Sequence, residues 1–411
     1  MNIINNSKNG CIAIITMLVL FTSCNKLNVD PVPLPAPTTP AGNTLAKVLA
    51  ATATDSLYNR LVIKSGILAA TPATITDSSL RFTMFVPDNN AMKSFINALS
   101  GGAVPLNAPD AVFSGFITAN IPTASAVGIV SYNIVPQSLT TASFPASFPN
   151  LQYPTILNPA PALSALLRLT TFPSKRGAGT WVNNVPLLSA DAVATNGIIH
   201  HTAAIVIPPS VSLWGRISVD PDMTYFKAAI LRADSGTIVA PATTGFLQGA
   251  LDNIGANLTT FVPSDSAMRA ALTGLIAQGL IAQGLSPAIA LAQATALAAT
   301  PAVFTNPILY SAITATLVKG IAVYHILGTR AFTVNFPTTA ANFPTLLNSA
   351  VPTHPGVGLQ STFTGPVVTA ATVKGAANAT ASVIFINPVS TSDQNATNGV
   401  LHKINQVLLP Q

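Results

Sequence analysis

The sequence has very little charge. Only 7% of the 411 residues are charged, no glutamate occurs, and the 12 acidic residues are therefore all aspartates. The net charge of +6 comes from scattered cations, of which Lys175-Arg176 is the closest grouping. Because nucleic-acid binding uses a basic stripe, often with interleaved aromatic side chains, we expect no nucleic-acid partner.

Motifs for catalysis and metal binding are missing as well. His-Glu-x-x-His is impossible without glutamate, no Gly-x-Ser-x-Gly turn occurs, and glycoside hydrolysis would have to use aspartates alone. His200-His201 is the one tight histidine pair, and neighbours on a strand point to opposite faces. We therefore expect no enzymatic activity, metal or cofactor, and we expect His200 to be a packed or hydrogen-bonded strand residue.

Cysteine and long apolar runs are also scarce. The chain has two cysteines, and no apolar run approaches the roughly 20 residues that a spanning helix needs. The run Cys11–Phe21, preceded by Lys8, is instead typical of a signal-peptide core. Ser23-Cys24 after it resembles a bacterial lipobox, although Phe21 stands where Leu, Val or Ile is usual. The resemblance implies lipidation of Cys24, and a plain secretory signal with an incidental cysteine is the alternative.

The residues after this cysteine predict a tether. Five prolines stand among small residues in 24–43, at Pro31, Pro33, Pro35, Pro37 and Pro40. This composition favours an extended polyproline II segment with a reach of up to roughly 60 Å. With a signal peptide at 1–23 and a lipid anchor in the membrane, it predicts a protein of the bacterial outer membrane, either periplasmic or surface-exposed.

The last stretch of the chain repeats an earlier one. Residues 398–410 start with Asn-Gly, continue with alternating apolar residues and end at Pro410, and residues 196–208 follow the same course to Pro208. Asn-Gly favours positive φ in a tight turn, and the alternation predicts a strand. A proline ends the strand because it cannot donate to a sheet ladder.

Two further segments repeat in the same order. Residues 81–92 match 257–268, and residues 130–136 match 322–328. Three ordered matches predict a duplicated chain rather than one chance similarity. We therefore expect two homologous domains, at 44–210 and 211–411.

The repeated segments resemble the fasciclin domain family. Its marks are a Phe-x-x-Phe-x-Pro box, here Phe82–Pro87, a Tyr-His box, here Tyr324-His325, and a closing Asn-Gly strand that ends in Leu-Pro. The resemblance covers nearly everything from Thr44 to Gln411. It implies an α+β fold of two fasciclin-like domains, each a mixed β-sheet sandwich or wedge covered by N-terminal helices.

The resemblance also implies a candidate site, because segments around the Tyr-His box are implicated in adhesion in animal relatives. The candidate residues are Tyr324, His325, Ile326, Leu327, Tyr132 and Asn133. Asn133 replaces the histidine in the first domain, so the domains need not bind alike, and a pH-sensitive role is open only to the second. Alternation with apolar neighbours favours burial of the same segment in the sheet core.

Local patterns predict helices early and strands late in each domain. Asp88 and Ser264 follow the Phe boxes where a helix N-cap belongs, and Asp220 or Asp222 is a candidate N-cap in the second domain. Strand-like runs predict hairpins of the same sheet at Trp181–Val185 and Val383–Asn387.

The second domain carries an insertion between its Phe and Tyr boxes. It contains Gly-Leu-Ile-Ala-Gln twice in succession, at 274–283. Recent slippage in a tolerant loop or helix end explains the repeat, and the alternative is an exposed apolar patch that contacts a partner.

These observations lead to one expected function and two alternatives. We expect a cell-surface lipoprotein that binds an extracellular protein or glycan through exposed loops and the sheet edge. A non-enzymatic envelope scaffold is the first alternative, and a polysaccharide hydrolase is the second.

Overall fold

The fold is taken from a computed structural model of the chain. The residues that the structure describes are 42–69, 75–176, 179–235, 247–386 and 391–411. The expectations for the signal peptide, for Cys24, for most of the 24–43 tether and for Asn387 lie outside these residues.

The N-terminal half starts with helices and ends with strands. Its elements are α1 (Leu45–Ala51), α2 (Ser56–Ser65), β1 (Phe82–Pro87), α3 (Asn89–Leu99), α4 (Asp110–Asn120), α5 (Thr123–Tyr132), β2 (Ile134–Val135), β3 (Tyr153–Pro154), β4 (Thr170–Thr171), β5 (Pro173–Arg176), β6 (Gly179–Val182), β7 (Val185–Ala194) and β8 (Gly197–Thr202).

The C-terminal half follows the same order. Its elements are α6 (Leu213–Val219), α7 (Thr224–Ala233), α8 (Leu247–Asp252), β9 (Leu258–Pro263), α9 (Asp265–Ala282), α10 (Pro287–Leu297), α11 (Ala315–Tyr324), β10 (Ile326–Leu327), β11 (Ala341–Phe343), β12 (Val357–Thr364), β13 (Val367–Lys374), β14 (Ser382–Val383), β15 (Gln394–Ala396) and β16 (Gly399–Ile404).

The central sheets of the two halves share the order of four strands, and the first sheet has two further strands. The first sheet has the order β2-β1-β8-β7-β6-β5, and the second has the order β10-β9-β16-β15. In each, the Phe-box strand lies parallel to the closing Asn-Gly strand, with Phe82 opposite Gly197 and Leu258 opposite Gly399. The ordered sequence repeats therefore correspond to a repeated fold, with helices early and strands late.

Each half has two apolar layers around its sheet. In the first, Leu61, Met84 and Ile117 belong to a core between helices and sheet, whereas Phe85 and Val182 belong to a core on the other side. Strand β1 is buried at every position, as expected for a strand covered on both faces. The C-terminal half repeats this division, which gives the expected sandwich.

The hairpin predictions have different outcomes. Trp181–Val185 spans the β6–β7 hairpin of the first sheet, as predicted. Val383 lies in β14, which pairs with β13 in a separate sheet of order β11-β12-β13-β14. The prediction that it joins the domain's main sheet is therefore wrong, and an isolated bridge from Ile384 to Ile404 connects the two sheets.

The predicted N-caps after the Phe boxes are confirmed. The Asp88 carboxylate accepts a hydrogen bond from Ala91 N at 2.7 Å, and the Ser264 hydroxyl accepts one from Ala267 N at 3.3 Å. Each satisfies one of the amides that the first turn of a helix leaves without a partner.

The N-cap prediction for Asp220 or Asp222 is wrong. Met223 precedes α7, and its side chain makes no capping hydrogen bond. Asp220 instead accepts from Lys403 Nζ at 2.9 Å, and Asp222 lies 3.5 Å from the same nitrogen. The two carboxylates form tertiary ion pairs with Lys403 and do not cap the helix that the local pattern predicted.

Among the described residues, no single helix combines the length and apolarity needed to cross a membrane, and α4 with α5 meets the criterion only as a pair bent by 111°. Residues 42–411 belong to one compact unit, and the domain boundary between 210 and 211 stays a prediction.

Candidate functional site

The six residues of the Tyr boxes are buried. Tyr132 and Tyr324 are the last residues of α5 and α11, and Asn133 and His325 follow them as C-caps. None of the six side chains is more than 1% exposed. The expectation of burial fits this position, but the tyrosines end helices and do not alternate along a strand. A partner at the surface of this structure would not contact them.

His325 connects the end of α11 to the chain terminus. Its Nδ1 donates to Ile321 O at 2.8 Å, and its Nε2 accepts from Leu408 N at 2.9 Å. These partners require the neutral ring, and burial lowers the pKa of His325 to about 4. Asn133 has the same place in the first half, where its amide donates to Ile129 O and Val206 O at 2.8 Å each. Asn133 and His325 therefore both connect the last turn of a helix to a segment near the end of their half.

The depressed pKa of His325 predicts acid sensitivity of folding. The unfolded histidine has a pKa near 6.5, so its contribution to stability is complete above that pH and is lost as the pH falls toward 4, up to about 3 kcal/mol. We expect His325→Asn to remove this part of the pH dependence. Urea unfolding of wild type and variant at pH 7.5 and pH 4.5 measures it, and equal pH dependence in both chains would contradict the assignment.

His200 and His402 occupy equivalent networks. His200 Nε2 donates to Leu139 O at 2.8 Å, its Nδ1 accepts from Asp191 N at 3.2 Å, and its ring stacks on Phe85. His402 repeats the arrangement with Ala331 O, Asp393 N and Phe261. Burial lowers the pKa of both imidazoles. The prediction of packed, hydrogen-bonded strand residues is confirmed.

In the described part of the chain, no three His, Cys, Asp or Glu side chains come together as a potential metal site. His201, on the opposite face of β8 from His200, lies 3.1 Å from the buried carboxylate of Asp55, and this hydrogen bond raises the pKa of His201. The adjacent histidines thus have separate structural partners.

The two halves pack against each other through an apolar cluster. Phe172 and Trp181 from the N-terminal half join Phe332, Val334 and Val400 from the C-terminal half. The Phe172 and Phe332 ring centroids are 6.2 Å apart.

Tyr132 adds a polar link to this interface, because its hydroxyl accepts from Asn395 Nδ2 at 3.1 Å. The halves are therefore held together by buried contacts as well as by the chain.

A buried cation lies beside this cluster. Arg330 is 2% exposed, and burial lowers its pKa to about 10, which leaves it charged at neutral pH. Its guanidinium is 5.0 Å from the centre of the Phe172 ring. All its hydrogen-bond acceptors are neutral: Asn257 Oδ1, Asn395 Oδ1, Ala396 O and Thr397 O.

A cleft of about 520 Å³ opens between the halves. Half-buried Phe148 and Phe343 pack edge to face in it, with centroids 4.5 Å apart. Exposed Lys175 and half-buried Arg176 supply its charge, and none of the described residues that line it is acidic. The closest cation pair in the sequence therefore lies at a junction of both halves, which the sequence analysis did not identify as a site.

Arg176 is held in place by the interface. Its Nη2 donates to Asn150 Oδ1 at 2.9 Å and to Asn335 O, across the interface, at 3.1 Å. Within the described ranges it has no carboxylate partner. Exposed hydroxyls complete the lining, at Ser147, Thr338 and Thr339. The cleft thus combines aromatic faces, hydroxyls and uncompensated positive charge.

Comparisons with known proteins identify the domain. Residues 59–208 match the family model of the fasciclin domain. Among solved structures, the chain is similar to a FAS1 domain pair from the insect cell adhesion molecule fasciclin I, at 14% identity and a TM-score of 0.32, over 86% of this chain and 96% of that chain. No curated protein matches the chain.

The second half repeats the first in the order of four sheet strands, in its His402 network and in its Asn-Gly turn. Residues 59–208 therefore match the fasciclin domain, and the second half repeats the architecture of this first one.

Proposed function

We propose that this chain is an adhesion or binding lipoprotein of the bacterial outer membrane that holds an extracellular anionic glycan in the cleft between its two halves. Fasciclin domains are typically adhesion or binding modules and are generally not enzymes. The observation that supports a ligand in the cleft is its pair of cations, Lys175 and Arg176, without an acidic neighbour in the lining.

The chemistry of the cleft favours an acidic sugar. Uncompensated cations attract carboxylate or sulfate groups, and the exposed ammonium of Lys175 can donate charge-assisted hydrogen bonds to them. The Nη groups of Arg176 already donate to protein oxygens, so Arg176 contributes its positive charge. The rings of Phe148 and Phe343 offer apolar faces for the C–H side of a sugar ring. Thr338 and Thr339 offer hydroxyls for its polar edge.

The proposed location rests on the sequence. The apolar core at Cys11–Phe21, the lipobox-like Cys24 and the proline-rich tether support lipid anchoring with the domains held away from the membrane. If Cys24→Ser leaves the protein in the membrane pellet of fractionated cells, the proposed anchor is wrong.

Charge reversal at the cleft tests the glycan. The full chain should bind polygalacturonate, weaken with added salt, and bind neutral dextran far less. Lys175→Glu should weaken polygalacturonate binding about fivefold, as expected for one exposed charge pair worth about 1 kcal/mol. Affinity electrophoresis with each polymer in the gel measures the binding.

Lys47→Glu is the matched control, because Lys47 is exposed on α1 and does not line the cleft. It makes the same change in net charge and should leave binding unchanged. Equal weakening by both variants would refute the cleft as the site. Capture of a protein partner that depends on Lys175, without any polygalacturonate binding, would refute a glycan ligand.

A further inference from the structure

A second concave surface lies in the C-terminal half and shares no lining residue with the cleft. It is an apolar groove of about 680 Å³ between α7, α9 and α11, closed at one side by the last residues of the chain. We call it the α9–α11 groove. Its size is within the range of small-molecule sites, which is about 300–1,000 Å³. Representative lining residues are Phe226, Ala271, Leu275, Leu317, Ile321 and Leu409.

The groove is open because alanines stand where the N-terminal half has larger side chains. The helices can be aligned through shared contacts, since Leu57 N donates to Asn89 Oδ1 just as Tyr225 N donates to Asp265 Oδ1. These contacts pair Leu61 with Ala229 and Phe95 with Ala271, and the repeated segments 130–136 and 322–328 pair Val130 with Ala322. All three alanines line the groove.

The tandem pentapeptide forms one wall of the groove. It lies in the C-terminal part of α9, which has 18 residues, whereas its counterpart α3 has 11. Leu275 and Gln278 from its first copy line the groove, and both are exposed. Side chains five residues apart on a helix point in directions that differ by about 140°. Leu280, the counterpart of Leu275 in the second copy, therefore packs against the core. The insertion therefore adds an apolar surface without a partner in this structure.

The side chains that line the groove offer no formal charge to a ligand. None of its described lining residues is Lys, Arg or Asp. Its two imidazoles already use both nitrogens: His325 as described above, and His354 through Pro410 O and Gly356 N. A peptide strand laid in the groove would bury amides without partners, at a cost of roughly 1–3 kcal/mol each. An aliphatic chain has no such groups.

We propose that the α9–α11 groove binds the aliphatic chain of a neutral single-chain lipid, such as a monoacylglycerol. The chain would lie over Ala229, Ala271 and Ala322, where the N-terminal half has side chains of its own. The exposed amide of Gln278 is available to a hydroxyl or ester head group. Because no cation lines the groove, a free fatty acid at a pH where it is ionised should bind more weakly than its glycerol ester.

The test is displacement of a fluorescent apolar probe. The full chain is saturated with N-phenyl-1-naphthylamine and titrated at pH 8 with monolauroylglycerol or with laurate, below their micelle concentrations. Monolauroylglycerol should displace the probe more strongly than laurate, and native mass spectrometry should show one lipid per chain. Ala271→Phe, which restores the side chain found at Phe95, should weaken lipid binding about tenfold by displacing at least two methylene groups from the groove.

Ala292→Phe provides the matched control. Ala292 is exposed on α10 and does not line the groove, so this variant should bind as the wild type does, and both variants should keep the wild-type thermal unfolding midpoint. Unchanged lipid binding by Ala271→Phe would overturn the site. Absence of displacement, or tighter binding of laurate than of monolauroylglycerol, would overturn the ligand class.

Discussion

Replacing Gly399 with alanine should cost more than about 4 kcal/mol of unfolding free energy, or prevent the C-terminal half from folding. A Cβ atom at this position would lie 2.4 Å from Leu258 O and 2.5 Å from Leu213 Cδ1. Leu258 belongs to β9, directly opposite Gly399 in the parallel ladder. The strands cannot separate to admit the methyl group without losing the hydrogen bonds that form the sheet.

The first half should respond in the same way. A Cβ atom at Gly197 would lie 2.0 Å from Phe82 O. Since Gly197 faces Phe82 as Gly399 faces Leu258, the Asn-Gly dipeptide serves the same purpose twice. Chemical unfolding should show a large loss of unfolding free energy for Gly197→Ala as well as for Gly399→Ala.

Gly320→Ala is the matched control for Gly399→Ala. Gly320 lies inside α11, where a Cβ atom would meet nothing within 4 Å. Alanine is the better helix former, so this change should stabilise the chain by about 0.5–1 kcal/mol. The same urea titration measures both variants. If the unfolding free energy of Gly399→Ala is within about 1 kcal/mol of the wild-type value, as for an ordinary surface substitution, the close approach of β9 and β16 is wrong.

Replacing Arg330 with leucine should cost about 3 kcal/mol. The change leaves four oxygen acceptors without this donor, on the buried Ala396 and on the half-buried Asn257, Asn395 and Thr397. Release of a desolvated cation offsets part of that loss, which is why the expected cost is below the sum of four lost hydrogen bonds. Arg330→Lys should recover only part of the stability, because one ammonium cannot reproduce the guanidinium fork.

Arg168→Leu is the control for this experiment. Arg168 is exposed, and its guanidinium donates only to nearby backbone carbonyls of Ala165 and Leu167. Its removal should change the unfolding free energy by less than about 0.5 kcal/mol. Equal costs for the two arginines would show that the acceptors around Arg330 obtain other partners.

Positions whose role is set by near neighbours in the chain could be predicted from the sequence. Asp88 and Ser264 cap helices because the amides they bind are three residues away. The Asn-Gly dipeptides do mark a turn followed by a strand. Gly197 has a positive φ of 158°, close to extended backbone. Gly197 and Gly399 both lie in strands, β8 and β16, where a neighbouring backbone leaves no room for a Cβ atom.

Predictions failed where distant residues decide the outcome. Asp220 and Asp222 have the local features of helix caps, yet Lys403 lies close enough to take both carboxylates. The adhesion role of the Tyr-box residues stays a prediction, and the structure buries all six of their side chains. Lys175 and Arg176 were noted only as neighbouring cations, and the cleft that they line depends on Asn335 and Phe343 from the other half.

The sequence by itself determined the duplication, the order of helices and strands, and the fasciclin domain, because these depend on repeated motifs and on short-range periodicity. Only the tertiary structure decided how the copies pack, which cations remain without a carboxylate, and which alanines open the α9–α11 groove. The physical reason is the distance along the chain between the residues that interact. Turns, caps and strand alternation are local, whereas burial, charge compensation and cavities depend on side chains that folding brings together from distant parts of the chain.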